Sequence, residues 1–151
     1  MNLLKKQVRK ILLILAVFCS SINVMGQSTN IDYTRLIKAI GTVESGLNDN
    51  AVNGPHAGFL QIAGVCVAEC NRINKKKNIP DRYTLKDRFN RQKSIEMFYI
   101  IQNFYNNKKD MDYDTKIKYA ILLWNEGCSA MNKPIRKTRY YNKVMSIYEK
   151  I

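Results

Sequence analysis

Apolar residues recur with a helical period along most of the chain. Tyr33, Leu36, Ile37, Ile40 and Val43 share one helical face, behind a capping Asp32 and ahead of Gly46, which suits a helix stop. Val65, Val67, Ala68 and Ile73 predict a second helix from about Gly64 into the lysine run "NKKKN", followed by a loop around Pro80. The segment "SIEMFYIIQNFY" predicts a third, strongly apolar helix with Ile95, Phe98, Ile101, Gln102 and Tyr105 along one stripe. A fourth carries Ile117, Ala120, Ile121 and Trp124 and closes at Gly127; a fifth carries Tyr141, Val144, Met145 and Tyr148 after a Thr138 cap. Strand alternation and internal repeats are absent from the sequence, and only "NNKKDMDYD" has the composition of a polar connector. The pattern predicts a compact all-α domain.

The first residues do not belong to that core. "MNLLKKQVRK" is a basic leader, "ILLILAVF" is an apolar run short of a comfortable bilayer span, and "NVMGQ" offers tolerated residues at Val24 and Gly26 for a signal peptidase. Residues 1–26 therefore read as a secretory signal cleaved after Gly26, with an uncleaved N-terminal anchor as the alternative. Lipidation at Cys19 is disfavoured by the bulky Phe18 before it. The expected mature chain, residues 27–151, is an exported protein of the periplasm or cell exterior, associated with the envelope and free of any further hydrophobic span. At 151 residues in all, with 46% hydrophobic and 25% charged positions, the composition is that of one globular domain.

Export changes the reading of cysteine and charge. Without the leader, Cys66, Cys70 and Cys128 remain, an odd number that allows one bridge and one free thiol, or none paired. Cys66 and Cys70 sit one helical turn apart, but no cluster of Cys or His joins them and His56 is the single histidine, so no metal site is expected. Four of the cationic charges, Lys5, Lys6, Arg9 and Lys10, lie in the leader, which leaves +9 of the +13. Such a surface favours polyanions, among them the acidic glycans of a bacterial envelope. Arginines interleaved with aromatics in a nucleic-acid module are missing, and nucleic acid is not an expected partner. The densest run, Lys75 to Lys77, reads as a solvated helix end.

One charged residue breaks the apolar pattern. Glu44 lies seven residues after Ile37 and four after Ile40, on the stripe that faces inward. Burial makes its ionisation costly, and a place in the last turn sets it near the negative end of the helix dipole. Both effects raise the pKa, which is what a general acid requires. Position alone fits equally a Glu that curls to solvent or caps the turn "SGLND".

The residues that follow shift that balance. "VESGLNDNAVNGPHAGFLQI" resembles the core of the soluble lytic transglycosylase (SLT) domain, within the lysozyme-like superfamily, in which a Glu-Ser pair ends a helix, Asn-x-x-Ala-Val follows, and a Gly-aromatic/aliphatic-Leu-Gln-Ile segment lines a cleft. The matching residues are Glu44-Ser45, then Asn50-Ala51-Val52, and Gly58-Phe59-Leu60-Gln61-Ile62. "AILLWNEG", with Trp124, Asn125 and Gly127, is similar to the family's aromatic-Asn-x-Gly turn, and "TRYYNKV" to its final tyrosine-bearing helix. The resemblance spans about Ile31 to Tyr148 and implies a single lysozyme-like domain over 27–151, mainly helical within an α+β superfamily. It implies Glu44 as catalytic acid and later base; Ser45, Gly58, Phe59, Gln61, Trp124 and Asn125 as substrate-binding groups; and Tyr140 or Tyr141 beside the carboxyl. Trp124 replaces the tyrosine common in that turn, and either stacks on a sugar or packs in the core. Gly58 reads either as a close approach of backbone to ligand or as an ordinary turn glycine.

The implied chemistry is cleavage of the β-1,4 bond between N-acetylmuramic acid and N-acetylglucosamine in peptidoglycan, by one carboxylate and without a cofactor. Most glycosidases use two carboxylates. A lysozyme-type hydrolase is thus the alternative if Asp49 holds a water, although Asp49 also suits a turn. Asp81, Asp87, Asp110, Asp112 and Asp114 lie in polar segments with no face-specific placement. A different class, a non-catalytic glycan-binding or assembly module on the same fold, is opposed by the presence of Glu44, Gln61 and Asn125. The expected protein is a monomer whose partners are glycan strands and, by conjecture, a cell-envelope secretion or conjugation machine.

Overall fold

In the computed structural model, which describes residues 31–80, 82–107 and 110–151, the helical periods become five α-helices in chain order. The leader with its cleavage point and Cys19, together with Asp81, Lys108 and Lys109, lies outside the described residues. Helix α1 spans Thr34–Ser45, α2 Gly64–Lys76, α3 Arg91–Tyr105, α4 Tyr113–Glu126 and α5 Arg139–Tyr148. Two 3₁₀ turns, Leu85–Phe89 and Cys128–Asn132, connect them. No helix among the described residues is long and apolar enough to cross a membrane. The domain is mostly helical with a small sheet, an all-α or α+β arrangement.

That sheet corrects the sequence reading, which saw no strands. Strands β1 (Val52–Asn53), β2 (His56–Ala57) and β3 (Ile62–Ala63) form an antiparallel meander, with Val52 opposite Ala57 and His56 opposite Ala63. Two-residue strands carry no readable alternation. The signal that was present is Asn53-Gly54, a hairpin-turn pair, with Gly54 at φ 57°.

The helix ends follow local chemistry. Thr138 caps α5 by accepting from the Tyr141 N–H at 3.1 Å, and Gly46 and Gly127 follow α1 and α4. Asp32 acts one residue ahead of the expected place: its carboxylate accepts from the Thr34 N–H at 2.9 Å, while Tyr33 occupies the cap position. Asn90 and Asp112 cap α3 and α4 through the Lys93 and Thr115 amides. The turn at Leu85–Phe89 starts with a capping box, Thr84 with Asp87.

Leu36, Ile40, Phe98, Ile117, Ile121 and Leu122 are fully buried and form the core, each burial stabilising by roughly 1.5–3 kcal/mol. Helix α5 packs on α1, α3 on α2, and α5 on α4. Gln102, expected on the buried stripe of α3, donates to the Ala120 carbonyl at 3.3 Å and so links α3 to α4. On α2 the buried face is Val67, Cys70, Ile73 and Asn74 rather than the expected mix: Val65 is 78% exposed and Ala68 is exposed. The lysine run is exposed at the end of α2, with Lys76 and Lys77 within 5.5 and 6.0 Å of the Phe104 ring centre. Cys66, Cys70 and Cys128 are all unbridged.

The loop between α1 and α2 is docked by close contacts. Gly41 in α1 lies under Phe59, whose ring carbon would stand 2.8 Å from an added Cβ; the missing side chain lets a fully buried Phe anchor the meander. Gly58, at φ 77°, faces the backbone of the 3₁₀ turn, where an added Cβ would fall 1.8 Å from the Arg88 carbonyl oxygen. The close approach that its glycine permits is therefore to protein backbone. Arg88 completes the clamp by donating to the Pro55 and Ile62 carbonyls at 3.0 and 3.1 Å. A Gly58→Ala substitution combines a left-handed φ with a backbone collision, and is expected to destabilise the domain by roughly 3 kcal/mol in urea unfolding. A loss below about 1 kcal/mol would show that the clamp yields freely.

Candidate active site

Glu44 ends α1 beside a cleft of about 690 Å³, a size suited to a ligand. The cleft is lined by the meander through Asn53, His56 and Gln61, by α2 through Val65, Cys66 and Glu69, and by α3 through Ile101 and Tyr105. Trp124, Asn125 and Cys128 complete its wall from the end of α4.

The carboxyl of Glu44 has one side-chain hydrogen bond, from the Tyr140 hydroxyl to Oε1 at 2.6 Å. The packing of α5 on α1 brings the two together across 96 residues of sequence. Of the two tyrosines left open by the sequence, Tyr140 is the partner. Tyr141 is buried on the inner face of α5 and takes no part in the cleft wall. Partial burial raises the Glu44 pKa; the Tyr140 hydrogen bond and the nearby His56 pull it back without cancelling the rise. Burial and the Glu44 carboxylate push the Tyr140 phenol up in turn, so Tyr140 stays a donor.

The other expected residues divide into cleft-facing and supporting groups. Gln61 is buried at φ 49°, a strained conformation for a non-glycine residue, costing about 1–2 kcal/mol. Its Nε2 donates to the Gly58 and Ala51 carbonyls at 2.9 and 3.3 Å, and its Oε1 has no donor among the described residues. Trp124 is half-buried: its ring lies 4.9 Å from Phe98, its Nε1 donates to the Leu60 carbonyl at 3.3 Å, and the rest lines the cleft. Asn125 is exposed on the cleft wall.

Ser45, Phe59 and Gly58 work behind the wall. The Ser45 hydroxyl donates to the Phe59 carbonyl at 2.9 Å and accepts from the Asn48 N–H at 3.0 Å, tying the end of α1 to the loop. The Phe59 ring faces a separate pocket with Ile37, Leu47 and Arg91, whose guanidinium sits 4.4 Å from the ring centre. Asp49 does not line the cleft; Arg91 holds it in an ion pair at 3.0 Å.

Sequence reasoning missed His56, Glu69, Tyr105, Cys66 and Cys128 as cleft residues. His56 stands inside the motif "NGPHAG", and its Nδ1 lies 3.1 Å from the Gln61 carbonyl, within the hairpin that went unread. Cys66 and Cys128 come from segments 62 positions apart, and no spacing rule joins them. The Cys70 thiol donates to the Met97 carbonyl at 3.6 Å; its proximity to Cys66 lowers the Cys66 pKa, and the same proximity together with burial raises that of Cys70. Among the described residues no group of three His, Cys, Asp or Glu could hold a metal ion.

No protein-family model, no curated protein and no solved structure matches this chain.

Two predictions concern Glu44 itself. A group whose folded pKa is raised favours the folded state while protonated, and that advantage is lost as pH rises from the ordinary value of 4.5 through the folded one. Glu44→Gln removes the desolvation cost, so its melting temperature should exceed that of the parent at pH 7 and converge on it toward pH 4. Equal melting temperatures across that range would show a hydrated carboxylate. Tyr140→Phe deletes the donor that favours the charged form, and the Glu44 carboxyl should then titrate at higher pH in a ¹³C NMR experiment.

Proposed function

We propose that the protein is a peptidoglycan-cleaving enzyme of the lytic transglycosylase type on a lysozyme-like domain, acting on the β-1,4 bond between N-acetylmuramic acid and N-acetylglucosamine. The observation that carries this reading is a carboxyl with a raised pKa, half-buried at the edge of a cleft and oriented by a tyrosine hydroxyl. A carboxylic acid that still holds its proton near neutral pH serves as general acid to a glycosidic oxygen. The resemblance of the Glu-Ser, Gly-Phe-Leu-Gln-Ile and Trp-Asn-x-Gly segments supports the same assignment.

In the proposed reaction Glu44 gives its proton to the leaving oxygen as the glycosidic bond breaks. The substrate's own acetamido carbonyl supports the anomeric carbon. The Glu44 carboxylate then takes the proton of the 6-hydroxyl, whose oxygen closes on the anomeric carbon to give a 1,6-anhydro ring. Tyr140 keeps the carboxyl in one orientation through both transfers, and its hydrogen bond strengthens when Glu44 becomes anionic. The exposed amide of Asn125 suits the hydroxyl and acetamido groups of a sugar, and the half-exposed Trp124 suits a sugar face.

The single-carboxylate route is favoured over the hydrolytic one by the position of Asp49. A hydrolase needs a second carboxylate or a held water at the reacting carbon. Asp49 is tied to Arg91 away from the cleft wall. The raised pKa of Glu44 likewise weighs against a module that only binds, since it imposes a cost on stability without improving affinity.

Mass spectrometry of material released from purified peptidoglycan tests this directly. Anhydro-muropeptides are expected from the parent protein, with a loss of about 10³-fold in rate for Glu44→Gln. Reducing ends would identify a hydrolase, and retention of full activity by Glu44→Gln would remove Glu44 from the mechanism.

A further inference from the structure

The cleft contains a second carboxylate in a different electrostatic state. Glu69, on α2, lines it beside Tyr105 of α3. Arg72 grips the Glu69 carboxylate with both arms of its fork, Nε to Oε2 and Nη2 to Oε1, each at 2.7 Å. The Tyr105 hydroxyl adds a third bond to Oε1 at 2.5 Å. These donors, Arg72 first, hold the Glu69 carboxyl below its ordinary range, whereas burial moves that of Glu44 above it.

The two carboxyls share no interaction partner. Glu44 responds to Tyr140 and His56, Glu69 to Arg72 and Tyr105. A carboxylate held below its ordinary range by a guanidinium and a phenol is a weak base, so Glu69 is not assigned the role of base to the Glu44 acid, and its place in the cleft needs another explanation.

Valence provides one. A carboxylate offers about four acceptor positions. Two donors occupy Oε1, but among the described residues Oε2 receives only the Arg72 Nε, which leaves it an acceptor position for a group entering the cleft. Aromatic contacts hold the donors themselves: the Arg72 guanidinium lies 5.4 Å from the centre of the Phe104 ring, and Phe104 meets Tyr105 edge-on at 4.9 Å. The carboxylate is thus fixed before any ligand arrives, which reduces the ordering cost of binding. Val65, 78% exposed on the same cleft wall, adds an apolar surface that has no partner in the fold to explain it. A fixed acceptor beside a small apolar surface suits a neutral, hydroxyl-rich ring, and an anionic ligand would be repelled.

We propose that Glu69, held by Arg72 and Tyr105, is a second saccharide-binding station that accepts a hydroxyl or acetamido N–H from a further ring of the strand whose bond is cut at Glu44. The proposal rests on the glycan-cleaving reading above and adds to it the requirement for an extended strand. A chain that reaches both stations gains affinity by linkage, and one too short to span them does not.

The test is calorimetric binding of the N-acetylglucosamine hexamer to the full chain carrying Glu44→Gln, with and without Glu69→Gln, and with Tyr105→Phe as a second variant of unaltered charge. The expected result is an increase of about tenfold in the hexamer Kd for Glu69→Gln, and of about threefold for Tyr105→Phe, in which Arg72 still anchors the carboxylate. Far-UV circular dichroism and melting temperature confirm folding of each variant. A hexamer Kd within about twofold of the Glu44→Gln parent in both variants overturns the station. If the unsubstituted protein releases anhydro-muropeptides while that Kd stays fixed, only the station falls. If it releases nothing while hexamer binding depends on Glu69, only the cleavage reading falls, and absence of hexamer binding to every form overturns the station outright.

Discussion

The organisation of the domain depends on keeping one carboxyl, that of Glu44, partly out of water while giving it a single oriented donor. These demands oppose each other. Desolvation stabilises the acid, whereas a hydrogen bond from Tyr140 and the proximity of His56 stabilise the anion. The balance falls on the side of desolvation. Removing either wall of the crevice would admit water and weaken the desolvation behind the shift, so α1, α5 and the meander must be held in register. That requirement accounts for the packing of the last helix on the first: with Tyr140 in the first turn of α5, just behind the Thr138 cap, a fixed helix start fixes the hydroxyl.

The meander is the weaker partner in this arrangement, because two-residue strands supply few ladder bonds. Its rigidity comes from the sides. Phe59 is sealed against Gly41, Ser45 ties the Phe59 carbonyl to the end of α1, and Arg88 bonds two meander carbonyls from the 3₁₀ turn. Gln61 tolerates a left-handed backbone because its amide bonds two carbonyls of the same loop, at Gly58 and Ala51. Strain held in this way fixes the Gln61 side chain inside the loop, with its Oε1 buried and without a donor among the described residues.

How much of this the sequence disclosed depends on the range of the interaction. The five helices were legible because their periods are local, and Gly46, Gly127 and Thr138 marked their ends for local reasons. The inward position of Glu44 followed from spacing alone. The hairpin was overlooked because its strands are too short for alternation, though Asn53-Gly54 marked the turn. On α2 the apolar Val65 counted toward the helix, yet the buried face runs through Val67, Cys70 and Ile73, and Val65 is left to the cleft. Tyr140 and Tyr141 were inseparable in sequence, since adjacent helical positions differ only in what the neighbouring helix offers. Gly58 read either as an approach to ligand or as an ordinary turn glycine, and the carbonyl of Arg88, thirty positions later, is the atom its missing side chain clears. Resemblance named residues near the cleft without distinguishing those that face it from those, like Ser45 and Phe59, that hold its wall.

The charge distribution poses a last problem, since the described domain is strongly basic and yet its cleft carries carboxyls. Exposed lysines at the end of α2 attract an acidic polymer from a distance, but such attraction is screened by salt and does not select a register. Selection requires fixed donors and acceptors inside the cleft. There the environment separates two chemically identical groups: burial moves the Glu44 carboxyl above its ordinary range, while a guanidinium and a phenol hold that of Glu69 below it. A protonated carboxyl can give a proton to a bridging oxygen, and an ionised one can only accept a hydrogen bond. In the proposed reading the same side chain serves a reactive role at one place and a purely recognitive one at the other, with the difference set by the partners that folding brings to each.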